Sequence, residues 1–127
     1  MVFLIVYVKE AHSSDNPGSG NLAQAVAKVE QATGKEIAEA AGPQPEIARH
    51  QTFEDRSKAA HSCKAGLDLE LPFVLDNMEN TTGSTYGGFP DRIYVISNEG
   101  KIHYKGEPGP YGFNPVQAEE SLKELLK

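Results

Sequence analysis

Several features that are scarce in this chain set the first limits on its function. It has one cysteine, no tryptophan and no apolar run approaching the roughly 20 residues of a membrane span. A single cysteine excludes an intramolecular disulfide and a C-x-x-C redox pair within these residues, and it suits a cytosolic protein. Residues 2–8 lack the charged region and the small-residue cleavage site of a signal peptide. We therefore expect a cytoplasmic protein without a membrane partner.

Basic residues are also scarce, and they form no cluster. The chain carries 12 basic and 18 acidic residues, for a formal net charge of -6, which argues against nucleic acid as a partner. Its four histidines show neither H-x-x-x-H nor H-x-H spacing, so we expect no metal site. The length of 127 residues fits one domain covering residues 1–127.

The opening stretch is the strongest local signal. Residues 2–8 form a short apolar run that is rich in β-branched and aromatic side chains and ends at Lys9, as expected of a strand buried on both faces. Glu10 and His12 follow at its carboxyl end, where open α/β sheets place their ligands. Being two residues apart, they would point to the same side of an extended strand. The sequence therefore places a candidate site here, although a purely structural hydrogen bond at a polar strand end is the simpler alternative.

The remaining pattern alternates between helices and strands. Thr52 and Asp55 have the spacing of a capping box at the start of a helix, and Asn114 with Pro115 has the form of a second helix start. Residues at i, i+3 and i+4 spacing indicate which helix face is apolar. In the first of these helices that face comprises Phe53, Ala60, Cys63 and Leu67. The predicted elements are, in order, a strand (2–8), helical segments (22–41), a helix (53–66), a strand (71–76), a helical turn (84–86), a hairpin (92–97 and 101–106) and a helix from Pro115. This order predicts a mixed α/β fold.

Five sequence blocks, in the same order, resemble the iodothyronine deiodinase family and its bacterial relatives. The blocks are EAHSSD, HQTFEDR, LDNMEN, YGGFPDRIYVI and YKGEPGPYGFNP. The resemblance implies a thioredoxin-like three-layer fold with a mixed sheet of about four strands. It also implies reductive removal of iodine from an aromatic ring by a selenocysteine or cysteine nucleophile, which a thiol reductant regenerates. The partners would then be a small halogenated aromatic substrate and that reductant, which acts as a co-substrate, with no cofactor.

Family members place a proton relay beside the nucleophile, because the ring carbon that loses iodine must gain a proton. By resemblance, the catalytic positions of this chain are Tyr7, Glu10, His12, His50 and Asp91. Histidine suits such a relay because its ordinary pKa lies near physiological pH.

The chain departs from the family pattern at several positions. The family's nucleophile lies on a strand and helix that precede residues 2–8, so the domain is expected to be N-terminally incomplete. Cys63 falls inside a predicted helix and outside the nucleophile block, where a buried structural thiol is expected. The family commonly has glutamate at Asp91, and some members have a basic residue at Pro108.

The expected lack of the nucleophile-bearing strand leaves a gap in the sheet, with residues 3–8 and 73–75 on one side and the hairpin on the other. Direct pairing of the two halves, a strand from a second copy in a homodimer, or a further segment of the same protein would fill it. Two other functions stay open at this point. One is a redox-inactive binding module that keeps the pocket, and the other is a relative of thiol peroxidases, which would need an activated thiol at the head of a helix.

Overall fold

A computed structural model describes residues 1–11, 13–15 and 47–127 of the chain. The chain forms two compact units, residues 1–83 and 84–127. The helical segments predicted over residues 22–41 lie outside the described residues. No helix in the described ranges combines the length and the apolarity needed to cross a membrane.

The first unit contains a parallel strand pair. β1 (Ile5–Tyr7) pairs with β2 (Phe73–Leu75), with Ile5 opposite Phe73 and Tyr7 opposite Leu75. The predicted N-terminal strand is confirmed but shorter than expected, and the expectation that it is buried on both faces is wrong. All three β1 residues are only partly buried, and the residues before them are exposed, Val2 retaining 83% of its surface.

Helix α1 (Phe53–Gly66) packs against β2. Its predicted capping box is confirmed, because the Thr52 hydroxyl accepts from the Asp55 N–H while the Asp55 carboxylate accepts from the Thr52 N–H. The apolar face proposed from spacing is confirmed at Ala60, which is 1% exposed, and wrong at Phe53 and Leu67, which are more than half exposed. Besides Ala60, α1 buries Arg56 and Ala59.

A short helix, α2 (Thr81–Tyr86), follows β2, and the boundary between the units falls within it. The second unit then contains an antiparallel hairpin of β3 (Tyr94–Ile96) and β4 (Ile102–Lys105), as the sequence predicts. The register shifts between Val95 and Ile96, which is the signature of a bulge.

Helix α3 (Pro115–Leu125) covers the hairpin and buries Ala118. The predicted start of this helix is confirmed, because the Asn114 side chain accepts from the Gln117 N–H and Pro115 occupies the first turn. Val95 of β3 is the buried apolar residue that the hairpin contributes to this unit.

The architecture is therefore mixed α/β, as expected, with three helices and four strands among the described residues. The single mixed sheet of about four strands is not formed by these residues. Each strand hydrogen-bonds to one partner, so β1–β2 and β3–β4 are separate two-stranded sheets. The hairpin pairing is the one that the sequence predicts, and β1 and β2 lie side by side as the family resemblance implies.

Candidate functional site

The exit of β1 forms the centre of the candidate site. The Tyr7 hydroxyl donates to Glu10 Oε2 at 2.9 Å. The strand ends at Tyr7 rather than at Val8, so Glu10 follows the strand at its carboxyl end and does not lie on it. The expected alignment of Glu10 with His12 stays a prediction, because His12 lies outside the described residues. The chain turns after β1, and this turn brings the Glu10 carboxylate back to the phenol three residues earlier.

His50 lies beside the same tyrosine. The rings of Tyr7 and His50 have their centroids 5.9 Å apart and their planes tilted by 32°. Phe73 of β2 contacts Tyr7 at the same centroid distance of 5.9 Å. The structure therefore brings together three of the five predicted site residues, Tyr7, Glu10 and His50.

Arg56 of α1 connects this cluster to the loop after β2. Only 2% of its surface is exposed. Its guanidinium donates from Nε to His50 Nδ1 at 3.3 Å, from Nη1 to the backbone oxygens of Asp76 and Asn77, and from Nη2 to Asn80 Oδ1 at 2.9 Å. The planar guanidinium, with several N–H donors in fixed directions, suits such multiple contacts better than the ammonium of lysine. The charge stays buried with neutral acceptors around it.

The surroundings of Tyr7 and His50 shift both pKa values. Burial, and then the adjacent Glu10 carboxylate, raise the pKa of Tyr7 well above its ordinary range. The phenol therefore keeps its proton and acts as a donor. Burial and the Arg56 charge lower the pKa of His50, against the opposing effect of Glu10 and Asp55. His50 is accordingly neutral at physiological pH.

Cys63 lies on α1 within electrostatic range of Tyr7 and Glu10. Burial and the Glu10 charge raise the pKa of its thiol. A nucleophilic cysteine needs the opposite shift, because the thiolate is the reactive form. The surroundings of Cys63 therefore disfavour the thiolate, although the side chain is half-buried rather than buried as the sequence predicts.

The other two predicted residues are not part of this cluster as described. His12 lies outside the described residues. Asp91 belongs to the second unit, where the backbone N–H of Gly109 donates to the Asp91 backbone oxygen at 3.0 Å. Partial burial raises the pKa of the Asp91 carboxyl group, while its hydrogen bond to the Gly109 backbone lowers it, and the net shift is upward.

Sequence reasoning missed two buried charged residues of the first unit. Arg56 falls between Phe53 and Ala60 at helical spacing, so a charged residue on the expected apolar face was the available signal. Asp76 lies in the LDNMEN block, directly after β2, and only 2% of its surface is exposed. Both residues lie in sequence blocks that resemble the family, but neither belongs to a recognised catalytic motif.

Comparison with known proteins agrees with the residue blocks. The family model described as iodothyronine deiodinase matches residues 1–126. The chain belongs to the iodothyronine deiodinase family. It is 32% identical over 111 residues to a thyroxine 5-deiodinase of Gallus gallus, and 33% identical over 115 residues to a type I iodothyronine deiodinase of Xenopus laevis. A thyroxine 5-deiodinase of Sparus aurata is 31% identical over 125 residues.

These alignments cover most of this chain but a minor part of each relative. They include 87%, 91% and 96% of the chain, and 34%, 36% and 37% of the relatives from Gallus gallus, Xenopus laevis and Sparus aurata respectively. The chain thus spans about a third of the length of the deiodinases it matches. Residues 1–126 fall within the family's own model, so Tyr7, Glu10 and His50 all belong to the matched region.

Within the described parts of this deiodinase-family chain, no group of three or more His, Cys, Asp and Glu side chains is arranged to hold a metal ion. The cluster at the β1 exit consists of a phenol, a carboxylate and a neutral imidazole. These groups can donate, accept and transfer protons, so the chemistry available to them is general acid–base chemistry.

The close packing of Gly109 against Asp91 gives a first prediction. A Cβ atom at Gly109 would lie 1.8 Å from Asp91 Oδ1, so Gly109→Ala is expected to push the carboxyl group into solvent. Because burial is the main cause of its raised pKa, the pKa of Asp91 should fall toward its ordinary value. Titration of the Asp91 carboxyl carbon by NMR measures this shift, and overpacking should also cost about 1–3 kcal/mol of stability.

Gly66→Ala is the matched control for this substitution. A Cβ atom at Gly66 meets nothing within 4 Å, so the same chemical change in α1 should leave both the pKa of Asp91 and the stability essentially unaltered. An unchanged Asp91 titration in Gly109→Ala contradicts the packing described for this loop.

Proposed function

We propose that this chain is the acid–base part of a thiol-dependent deiodinase, which removes iodine reductively from an iodinated aromatic compound such as an iodothyronine. Comparison with known proteins supports the proposal, since the family match covers residues 1–126 and the relatives carry the names thyroxine 5-deiodinase and type I iodothyronine deiodinase. The observation that carries it within the molecule is the hydrogen-bonded Tyr7–Glu10 pair beside His50.

The reaction needs both a nucleophile and a proton. A thiolate or selenolate attacks the iodine of the substrate, so a chalcogen–iodine bond forms and the carbon–iodine bond breaks. The ring carbon takes the bonding electron pair and a proton, and it is thereby reduced. A thiol then displaces iodide from the chalcogen, and a second thiol releases the resulting disulfide. The sum converts one aryl iodide and two thiols into the arene, a disulfide, iodide and a proton.

The residues of this chain would supply the proton to the ring carbon. Glu10 is the proton carrier in this proposal, with His12 as the expected partner beyond it. Tyr7 keeps its own proton because burial and Glu10 raise its pKa, so it orients the carboxylate instead of transferring through the phenol. Asp91 is proposed as a further acidic member of the relay, and partial burial raises the pKa of its carboxyl group.

The nucleophile is proposed to be a cysteine or selenocysteine outside residues 1–127. Cys63 is the one cysteine of the sequence, and burial raises the pKa of its thiol. The mixed α/β architecture is proposed to be thioredoxin-like, since a parallel strand pair and an antiparallel hairpin are both pairings that such a mixed sheet contains.

Iodide release tests the proposal directly. Residues 1–127, and a form extended at the N-terminus by the adjoining coding sequence, are incubated with an iodothyronine and dithiothreitol, and free iodide is measured. We expect release by the extended form and none by residues 1–127 alone. Cys63→Ser in both forms is the control, and it should change neither result. Release by residues 1–127 that is abolished in Cys63→Ser would make Cys63 the nucleophile and overturn this assignment.

A redox-inactive binding module is the second candidate, and the raised pKa of Cys63 is the observation that favours it. This candidate predicts that neither form releases iodide, while both bind the iodothyronine in a calorimetric titration. Iodide release by the extended form excludes it.

A further inference from the structure

The contact between Arg56 and His50 determines where the imidazole proton resides. A guanidinium nitrogen can only donate, because arginine stays protonated throughout the accessible pH range. Arg56 Nε donates to His50 Nδ1 at 3.3 Å, so Nδ1 must present a lone pair. A neutral imidazole with a lone pair on Nδ1 carries its proton on Nε2.

The position of Nε2 completes the description of this ring. His50 Nε2 is shielded from solvent and has no hydrogen-bond partner in the described ranges. Buried polar atoms are nearly always paired in a working protein. A donor held in this way is ready for an acceptor that arrives with the substrate complex.

We propose that Arg56 is a positioning residue that holds His50 as a neutral Nε2–H donor, so that His50 orients the reaction without carrying its proton. The inference rests on the proposed deiodinase function and assigns the two polar groups beside Tyr7 to different tasks. His50 donates a fixed hydrogen bond, and Glu10 carries the proton to the ring carbon.

The alternative role, proton transfer through His50, conflicts with the same contact. An imidazolium carries N–H on both nitrogens, and its Nδ1–H would point at the Arg56 Nε–H. The charged and titratable groups that act on His50 are Arg56 and Asp55 of α1 together with Glu10 after β1, and the Tyr7 phenol faces it from β1. Burial and Arg56 lower the pKa of His50, and this lowering outweighs the effect of the two carboxylates.

The tautomer can be observed without any activity measurement. Long-range proton–nitrogen correlation NMR on residues 1–127 in alkaline buffer distinguishes a protonated from an unprotonated ring nitrogen. We expect His50 to show a protonated Nε2 and an unprotonated Nδ1. His61 is an internal control of opposite sign, because its Nδ1 lies 2.7 Å from the Ser57 carbonyl oxygen and must carry the proton. A His50 ring protonated on Nδ1 overturns the inference whatever the enzyme does.

Substitution of Arg56 then tests the cause. In Arg56→Lys an ammonium replaces the planar guanidinium and its fixed Nε–H donor while the positive charge is kept, so we expect averaged His50 tautomers. Asn80→Gly is the matched control, since it removes the Nη2 acceptor, leaves the Nε contact in place and suits the positive φ of 57° at that position. It should leave the His50 tautomer unchanged. An unchanged tautomer in a folded Arg56→Lys protein contradicts the positioning role.

The rate of iodide release, measured on whichever of the two forms is active, distinguishes a hydrogen-bond donor from a proton carrier at His50. Glutamine can donate from its amide but cannot take up a proton, so His50→Gln should keep at least about a tenth of the rate if one hydrogen bond is all that His50 supplies. A proton carrier would lose about 10²- to 10⁴-fold instead, and that loss refutes the proposal. If no form releases iodide while His50 is protonated on Nε2, the deiodinase function fails and the effect of Arg56 on the tautomer stands.

Discussion

Replacing Glu10 with glutamine is expected to slow iodide release by about 10²- to 10⁴-fold, the range that positioned proton transfer contributes in enzymes. The amide keeps the shape of the carboxylate and can still accept from the Tyr7 hydroxyl, which lies 2.9 Å from Glu10 Oε2. It cannot bind and release a proton. The measurement is the initial rate of iodide release by the iodide-releasing form, with thiol in excess so that regeneration of the nucleophile is not limiting.

Tyr7→Phe is the matched control because it removes the hydrogen bond and leaves the carboxylate. We expect a loss of only about five- to tenfold, the equivalent of one hydrogen bond. Burial and Glu10 raise the pKa of Tyr7, so its phenol holds its proton too tightly to serve as the acid. Equal losses in the two variants would assign the proton to the Tyr7–Glu10 pair as a unit, and an unimpaired Glu10→Gln protein would exclude Glu10 as the carrier.

The local elements of this fold were predictable because their signals are local. The capping box of Thr52 and Asp55 and the Asn114–Pro115 helix start involve residues close in sequence, and the structure has both. The buried face of α1 was only partly predictable from spacing, which indicated Ala60 but not Arg56. Apolar residues at the helix ends, Phe53 and Leu67, remain exposed, while a charged residue, Arg56, is buried. Acceptors for its guanidinium come from residues 20 and 21 positions later, so no local pattern reveals them.

The candidate site shows the same limit. The EAHSSD and HQTFEDR blocks gave Glu10 and His50 by resemblance, and the structure brings both to Tyr7. The sequence placed Glu10 correctly at the end of the first strand but made that strand too long, since it ends at Tyr7. Which ring nitrogen of His50 carries the proton depends on one contact, the hydrogen bond from Arg56 of α1 to His50 before it. This contact can be seen in the structure but not in the sequence.

We therefore propose different roles for the three groups at the β1 exit. Tyr7 has a raised pKa and donates, and His50 has a lowered pKa and accepts from Arg56 at Nδ1. Both hold a fixed protonation state over the physiological range, which is the property of orienting groups rather than of proton carriers. In this proposed division of roles, the carboxylate of Glu10, which accepts from the Tyr7 hydroxyl, exchanges the proton.

Asp76→Ala should have the largest effect on stability, a loss of about 2–4 kcal/mol in the free energy of unfolding. Asp76 is 2% exposed. Its Oδ1 accepts from the N–H groups of Asn77 and Thr82 at 2.9 Å each, and its Oδ2 accepts from the Gly83 N–H at 2.7 Å. Alanine would leave the Asn77 donor in the loop after β2 and the Thr82 and Gly83 donors at the start of α2 without their acceptor. Unpaired buried donors are costly. Urea unfolding followed by circular dichroism gives the difference.

The pH dependence of this loss distinguishes the carboxylate's hydrogen bonds from simple packing. Burial raises the pKa of Asp76, but the N–H groups of Gly83, Thr82 and Asn77 lower it by more, so its pKa in the folded protein lies below the ordinary value. A carboxyl group with a lowered folded pKa stabilises the protein above its unfolded pKa of about 4, and this stabilisation disappears as the pH falls through the folded pKa. The stability gap between the wild type and Asp76→Asn should therefore shrink below a pH of about 4.

Asp68→Asn is the matched control, because Asp68 is exposed and its positive φ of 50° is one that asparagine adopts readily. It should show no comparable gap at any pH, and an Asp76→Asn gap that is independent of pH would assign the stabilisation to packing rather than to charge.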